Sequence, residues 1–217
     1  MIINMFVGER LLKLSDIARE IHTGVLTRRI IFEDSELASM SEAETAALTS
    51  ARILVPKAIA DGVIDHSQLQ EVKLKKEVKE KFRTHLGDVI MKLSSPYDCC
   101  VIEKEEDENL IVPSFCLRIG SIDEAYDPYF IMAFLTSASA WKQIEKTMMG
   151  RALSIISNES VSELMLPDMT PEQRHEAGYR YEKTLEFRRS AGRIIRLEKE
   201  RNDSLFLSME VNDEAKL

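Results

Sequence analysis

Little in this chain is equipped to do chemistry. Its four histidines, His22, His66, His85 and His175, are scattered, and each stands among charged residues. They read as solvated or ion-paired groups. The three cysteines, Cys99, Cys100 and Cys116, are odd in number, lack zinc-site spacing and lie in apolar runs. They read as small buried hydrophobes of a reducing cytoplasm. There is no Gly-x-Ser-x-Gly elbow, no glycine-rich phosphate loop and no His-Glu-x-x-His helix. The Asn-Pro-Pro-aromatic loop and glycine-rich motif of a methyltransferase are also missing. The acidic run 103–108 has neither the alternation nor the glycine of a calcium loop and reads as a solvated tip. No metal site and no cofactor is expected. No apolar run reaches the roughly 18 residues of a membrane helix. Residues 1–7 are apolar, with no basic region before them and no small-residue cleavage site after them. They read as a first strand or packed arm rather than a signal peptide.

What is present suffices for one domain of ordinary size with an appendage. Of the 217 residues, 44% are hydrophobic and 30% charged, so a real core and a well-solvated surface are both available. The net charge is −8, and residues 1–165 hold 19 Lys and Arg against 26 Asp and Glu. That balance opposes indiscriminate binding of nucleic acid.

Apolar residues at 14, 17, 18 and 21 predict a helix over 14–21, which Gly24 would end. Arg28 and Arg29 follow in a short loop, and residues 30–32 read as a strand. Ser41 and Glu44 form a capping box for a short helix. Residues 52–55 read as a strand stopped by Pro56, Asp61-Gly62 as a turn, 72–74 as a strand and 75–83 as a charged helical connector. Gly87-Asp88 turns into a buried strand, 89–93, broken by Pro96. Residues 99–102 are expected to pair with 110–112 across the acidic tip. Residues 115–119 form a further strand. Asp127 caps a helix whose first residue is Pro128, and Phe130, Ile131, Phe134 and Leu135 form its apolar face. A second helix over 139–148 and strands over 153–156 and 164–166 complete the domain.

Thr170-Pro171-Glu172-Gln173 is the clearest helix start: a threonine cap, a proline in the first turn and a glutamine closing the capping box. No proline follows, so the helix is expected to run to about residue 208, roughly 57 Å at ~1.5 Å per residue. Its 4,3-spaced seam reads Ala177, Tyr181, Thr184, Arg188, Ala191, Ile195, Glu198, Asn202, Leu205, Met209, widened by Leu185, Phe187 and Ile194. Only six of the ten seam residues are apolar, which makes it an imperfect coiled-coil stripe. Gly178 and Gly192 each cost a helix about 1 kcal/mol, and make sense where another backbone comes close.

The ordered series Leu86-Gly87-Asp88-Val89, Ser94-Ser95-Pro96-Tyr97, Val112-Pro113-Ser114-Phe115, Asp127-Pro128-Tyr129, Gly150-Arg151, Leu164-Met165-Leu166-Pro167 and Thr170-Pro171-Glu172-Gln173 resembles the specificity subunit of type I restriction-modification systems. It matches one target recognition domain and the spacer helix after it. The resemblance implies an α+β fold: a mixed-sheet recognition domain over residues 1–167, a spacer helix over 168–210 and a tail over 211–217. It implies a non-catalytic protein that reads double-stranded DNA for a methyltransferase subunit and a restriction subunit. A full subunit carries two such domains and two antiparallel helices, so two copies of this chain are expected to pair. The interface would use Ala177, Tyr181, Leu185, Ala191, Ile194, Ile195 and Leu205. Chemistry selects Arg28, Arg29, Lys57, Lys92, Ser94, Ser95, Tyr97 and Arg151 as candidates for DNA contact, since their donors suit phosphate oxygens. The acidic balance motivates a second reading, an interaction scaffold on the same fold that does not bind DNA. A thiol or hydrolytic enzyme is the third.

Overall fold

Four strands here alternate two kinds of side chain, and so face two different layers. The computed structural model describes residues 12–148 and 155–214, with side chains to residue 206. The chain begins with α1 (Leu14–Ile17), β1 (Ala18–Thr23), α2 (Asp34–Leu37), α3 (Glu42–Ala47), β2 (Ser50–Ile53), β3 (Ile59–Ala60) and β4 (Val63–Ile64). It continues through β5 (Gln70–Lys73), β6 (Val89–Lys92), β7 (Cys99–Val101) and β8 (Cys116–Ile122). The helices α4 (Pro128–Leu135), α5 (Ala138–Met148), α6 (Asn158–Ser162) and α7 (Pro171–Glu214) follow. The main sheet has the order β1-β8-β6-β7, antiparallel throughout.

In β6, β7 and β8 the odd-numbered residues Val89, Met91, Cys99, Val101, Leu117 and Ile119 face a helical layer. That layer supplies Phe130, Ile131, Phe134 and Leu135 of α4, Ala140 and Ile144 of α5 and Val161 of α6. The even-numbered Ile90, Cys100 and Cys116 face a second layer without long helices, built from Leu54, Ala58, Ile59, Ile102, Leu110 and Val112. A period of two delivers this division automatically. The second layer extends under the β2–β5 ribbon, where Ile30, Ile53, Leu74, Val78 and Ile111 cluster.

The caps lie where the residues place them. Asp127 accepts from the Tyr129 N–H at 2.7 Å with Pro128 in the first turn. Ser41 and Glu44 exchange bonds, and the Ser41 backbone N–H holds the Glu44 carboxyl below its ordinary range. Thr170 and Gln173 do the same at the start of α7.

Several expectations need correction. Residues 30–32 and 164–166 form no strand, only single bridges of Ile31 with Leu74 and of Met165 with Lys13. Residues 14–21 are not one helix: α1 stops at Ile17 and the chain becomes β1, because pairing with β8 uses more backbone groups than one further helical turn would. Residues 75–83 hold only a 3-10 turn, Glu80–Phe82; the Lys75 and Thr84 N–H groups donate to Ile30 and Leu110 instead. Residues 99–102 do not pair with 110–112: β7 joins β6, and the 111 and 112 N–H groups donate to Arg52 and Phe82. Ile155 and Ile156 lie outside any strand, although the Ile156 N–H donates to Leu93 O. Residues 1–7, Gly150 and Arg151 lie outside the described residues.

At ~1.5 Å per residue, the 44 residues of α7 span about 66 Å. Its first half lies on α4. A Cβ at Gly178 would stand 3.1 Å from the Phe130 backbone nitrogen, so the close approach expected there is made by this chain's own helix. Leu185 is 1% exposed and rests on Gly62, whose φ of +79° belongs to the tight β3–β4 turn. Arg189 donates to Gly62 O at 3.1 Å. Ala177, Tyr181 and Leu185, expected at a dimer interface, therefore face their own domain. A seam shows that a helix face is covered but not by what. Beyond Arg189, Ile194, Ile195, Leu205 and Phe206 are exposed, and nothing lies within 4 Å of a Cβ built at Gly192.

The second layer encloses a charge cluster. Arg118 of β8, 3% exposed, donates through Nε and Nη2 to the two oxygens of Asp88 at 2.5 and 3.2 Å. Its Nη1 reaches Glu20 of β1 at 2.8 Å, and Nη2 lies 2.7 Å from His85 Nδ1. Burial lifts the Asp88 carboxyl above its ordinary value, against the pull of Arg118. A Cβ at Gly120 would stand 2.4 Å from Asp88 Oδ1, so the cluster also explains that glycine.

Two outcomes follow for denaturant melts. Leu185→Ala should cost about 2–5 kcal/mol, whereas Ile195→Ala in dilute solution should stay within about 0.5 kcal/mol of the native chain. Arg118→Met should cost about 3–5 kcal/mol by stranding Asp88, and Arg118→Met with Asp88→Leu should recover most of that loss.

Candidate nucleic-acid interface

Strand direction sorts the loops into two groups. β1 and β6 run one way and β7 and β8 the other. One end of the sheet therefore gathers residues 24–30 after β1, 93–98 between β6 and β7, and 113–115 before β8. Their backbones are cross-tied. Gly24 N–H donates to Cys116 O at 3.0 Å, Val25 N–H to Val112 O at 2.9 Å, and Ser114 N–H back to Val25 O at 2.9 Å. Leu93 N–H donates to Phe115 O at 2.9 Å, and Ile156 N–H to Leu93 O at 3.0 Å. Gly24 is needed for this approach, since a Cβ there would sit 2.2 Å from Val112 O. It joins two loops rather than ending a helix.

Onto this frame the chain places Arg28 and Arg29, both exposed on the 3-10 turn Thr27–Arg29. Neither arginine has a salt-bridge partner among the described residues. Ser95 is exposed and Ser94 half-buried. Tyr97 is half-buried with its ring 4.8 Å from Trp141, so it carries part of the helical packing. Residues 24–30 and 113–115 contain no carboxylate, and 93–98 contain one, Asp98, which is bound to the Lys92 ammonium at 2.9 Å. The opposite end of the sheet holds Asp88, Glu103, Glu105, Glu106, Asp107, Glu108, Asp123, Glu124 and Asp127. A chain of net charge −8 thus carries a doubly basic tip whose loops hold a single carboxylate, Asp98, paired with Lys92.

The other selected residues lie elsewhere. Lys92 is 6% exposed, and its ammonium donates to Ile59 O at 3.0 Å and Asp98 at 2.9 Å. It pins β3 to the main sheet, and its burial keeps the ammonium away from a surface ligand in this conformation. β6 is buried on both faces, and the even-numbered position sends Lys92 inward. Lys57 is exposed on the 3-10 turn Pro56–Ala58, in the second layer and outside the three loops. The residue that sequence reasoning missed is Phe115, 55% exposed at the tip. It read as the first residue of a strand, and only Pro113-Ser114 before it hinted that it stands on a turn.

The thiols are closed to chemistry. Burial pushes Cys99 and Cys116 up to about 12, and Cys100 well above its ordinary value. Among the described residues no group of three or more His, Cys, Asp or Glu could hold a metal ion. No helix among them is long and apolar enough to cross a membrane.

No protein-family model and no curated protein matches this chain. Solved structures do. The HsdS subunit from Thermoanaerobacter tengcongensis is similar with a TM-score of 0.57, at 16% identity over 85% of this chain and 44% of that one. A chain from a structure addressing complex assembly and conformational transition of the type I R-M system is similar with a TM-score of 0.58, at 16% identity over 91% and 47%. The chain spans less than half the length of either. Its α+β domain, built on antiparallel sheets where a mixed sheet was expected, and its long C-terminal helix have the fold of roughly half of an HsdS specificity subunit.

Proposed function

We propose that this chain is a sequence-specific DNA recognition subunit of a type I restriction-modification system. It selects the site, and a methyltransferase subunit and a restriction subunit perform the reactions. The observation that carries this reading is the charge-sorted sheet end on an HsdS-like fold. Arg28 and Arg29 meet phosphates there, Ser94 and Ser95 offer hydroxyl donors, and the carboxylates of the sheet ends lie at the far end except Asp98, which Lys92 neutralises. The net charge alone would favour a scaffold that does not touch DNA; its distribution favours binding. Arg151 and Lys57 remain outlying candidates for the same backbone.

Two copies pair through the distal half of α7. Residues 187–197 carry four arginines, Arg188, Arg189, Arg193 and Arg196, and no carboxylate. Residues 198–214 carry six carboxylates against two basic residues. An antiparallel pair centred near residue 200 sets each basic stretch against the partner's acidic one. It also matches Ala191 with Met209 and Ile195 with Leu205. Ile194 and Gly192 sit beside that seam, exposed and open. The dimer would present two recognition tips and read two symmetry-related half-sites.

Selection from a pool of random duplexes should enrich one motif. Arg28→Ala and Arg29→Ala should each weaken binding across all sequences and lower the salt slope by about 1. Enrichment of nothing at low salt supports the scaffold reading instead. Ile195→Glu with Leu205→Glu should convert the dimer to a monomer in sedimentation without lowering the melting temperature of the domain. An unchanged sedimentation coefficient rejects the pairing.

A further inference from the structure

A large aromatic ring stands in the open between the two arginines and the two serines, and sheet geometry does not require it there. Phe115 is 55% exposed, the most exposed phenylalanine among the described residues before α7. Its backbone is fixed from three sides. The turn closes with the Cys116 N–H on Pro113 O at 2.9 Å, the Phe115 carbonyl accepts from Leu93 at 2.9 Å, and Ser114 is tied to Val25. Pro113, just before, is buried. The ring is therefore held on a rigid mount rather than on a loose loop. Leu93, which donates to Phe115, in turn accepts from the Ile156 N–H at 3.0 Å, so a fourth segment braces the mount. The loops around it hold two exposed arginines and one carboxylate, Asp98, which is taken up by Lys92.

We infer that Phe115 is an aromatic wedge: when the arginines hold the phosphates, its ring enters the groove of double-stranded DNA and stacks on a base at a partly opened step. Resting on the DNA-recognition reading above, this assigns the ring a role that the polar candidates cannot fill. Arginine and serine contacts to phosphate position the duplex but carry no base information. A ring wedged at a base step makes binding depend on how easily that step unstacks, and flexible pyrimidine–purine steps unstack most readily. Charge selects the occupant: a polyanion suits two exposed arginines that have no salt-bridge partner among the described residues, whereas an apolar protein partner would gain nothing from them.

The experiment uses duplexes enriched from a random pool by the native chain, with binding followed by anisotropy across a salt series. Phe115→Ala should weaken binding about tenfold with an unchanged salt slope, and Phe115→Leu, which keeps bulk but not the flat ring, should lose nearly as much. Both should melt like the native chain. For direct contact, Trp141→Phe with Phe115→Trp places the chain's only tryptophan at position 115. Its fluorescence should be quenched by the bound duplex. Native affinity in both Phe115 variants, or an unquenched tryptophan on bound duplex, overturns the wedge while leaving DNA recognition intact. Failure of the native chain to enrich or bind any duplex overturns the recognition reading, and the wedge with it.

Discussion

The Arg118 guanidinium is the constraint around which the rest is arranged. It sits on the central strand, buried, and must be neutralised there or the sheet pays for an isolated charge. Asp88 before β6 and Glu20 on β1 neutralise it, so one residue ties three strands together through side chains as well as through the backbone ladder. The same bonds fix Gly120 and hold the turn at Gly87-Asp88. Lys92 repeats the device on the same face, holding β3 and Asp98. Two buried cations thus organise a layer that no long helix supports. Of the carboxylates this requires, Asp98 stays at the end that carries Arg28 and Arg29, bound to Lys92, while Asp88 and the acidic loops after β7 and β8 collect at the other end.

The sequence was most legible where a local rule decides the outcome. A cap such as Asp127-Pro128 or Thr170-Pro171 needs only its own turn, and Asp61-Gly62 needs only its own φ angles. It was least legible where a distant segment decides. Residues 14–21 carry a helical pattern, yet β8 captures the second half as a strand. Gly24 suits a helix end equally well, but the actual demand comes from the Val112 carbonyl. Lys92 carries surface chemistry in its formula and a buried salt bridge in its place, because the face it occupies is set by strand register. In α7 the spacing identified a covered stripe, and the structure divides it: Ala177, Tyr181 and Leu185 are covered by the domain, while Ile194, Ile195 and Leu205 are left exposed. The polar part of the candidate tip was legible from Arg28 and Arg29, while Phe115 was hidden by its membership of an apolar strand run.

These features combine into one account of function. Half of α7 belongs to the domain and orients it; the other half projects outward with its charges sorted along its length. On the proposed reading, a rod anchored in this way would hold the tip at a fixed distance and angle from the copy that pairs with it. The similarity to HsdS structures supplies the fold, and the charge sorting at the sheet end supplies the reason to place DNA there.

That placement can be mapped directly by amide hydrogen exchange on the chain with and without an enriched duplex. Added protection confined to residues 24–30, 93–98 and 113–116 is the predicted result. Protection at the acidic loops 103–108 and 123–127 instead, or none anywhere while the duplex is bound, would contradict it.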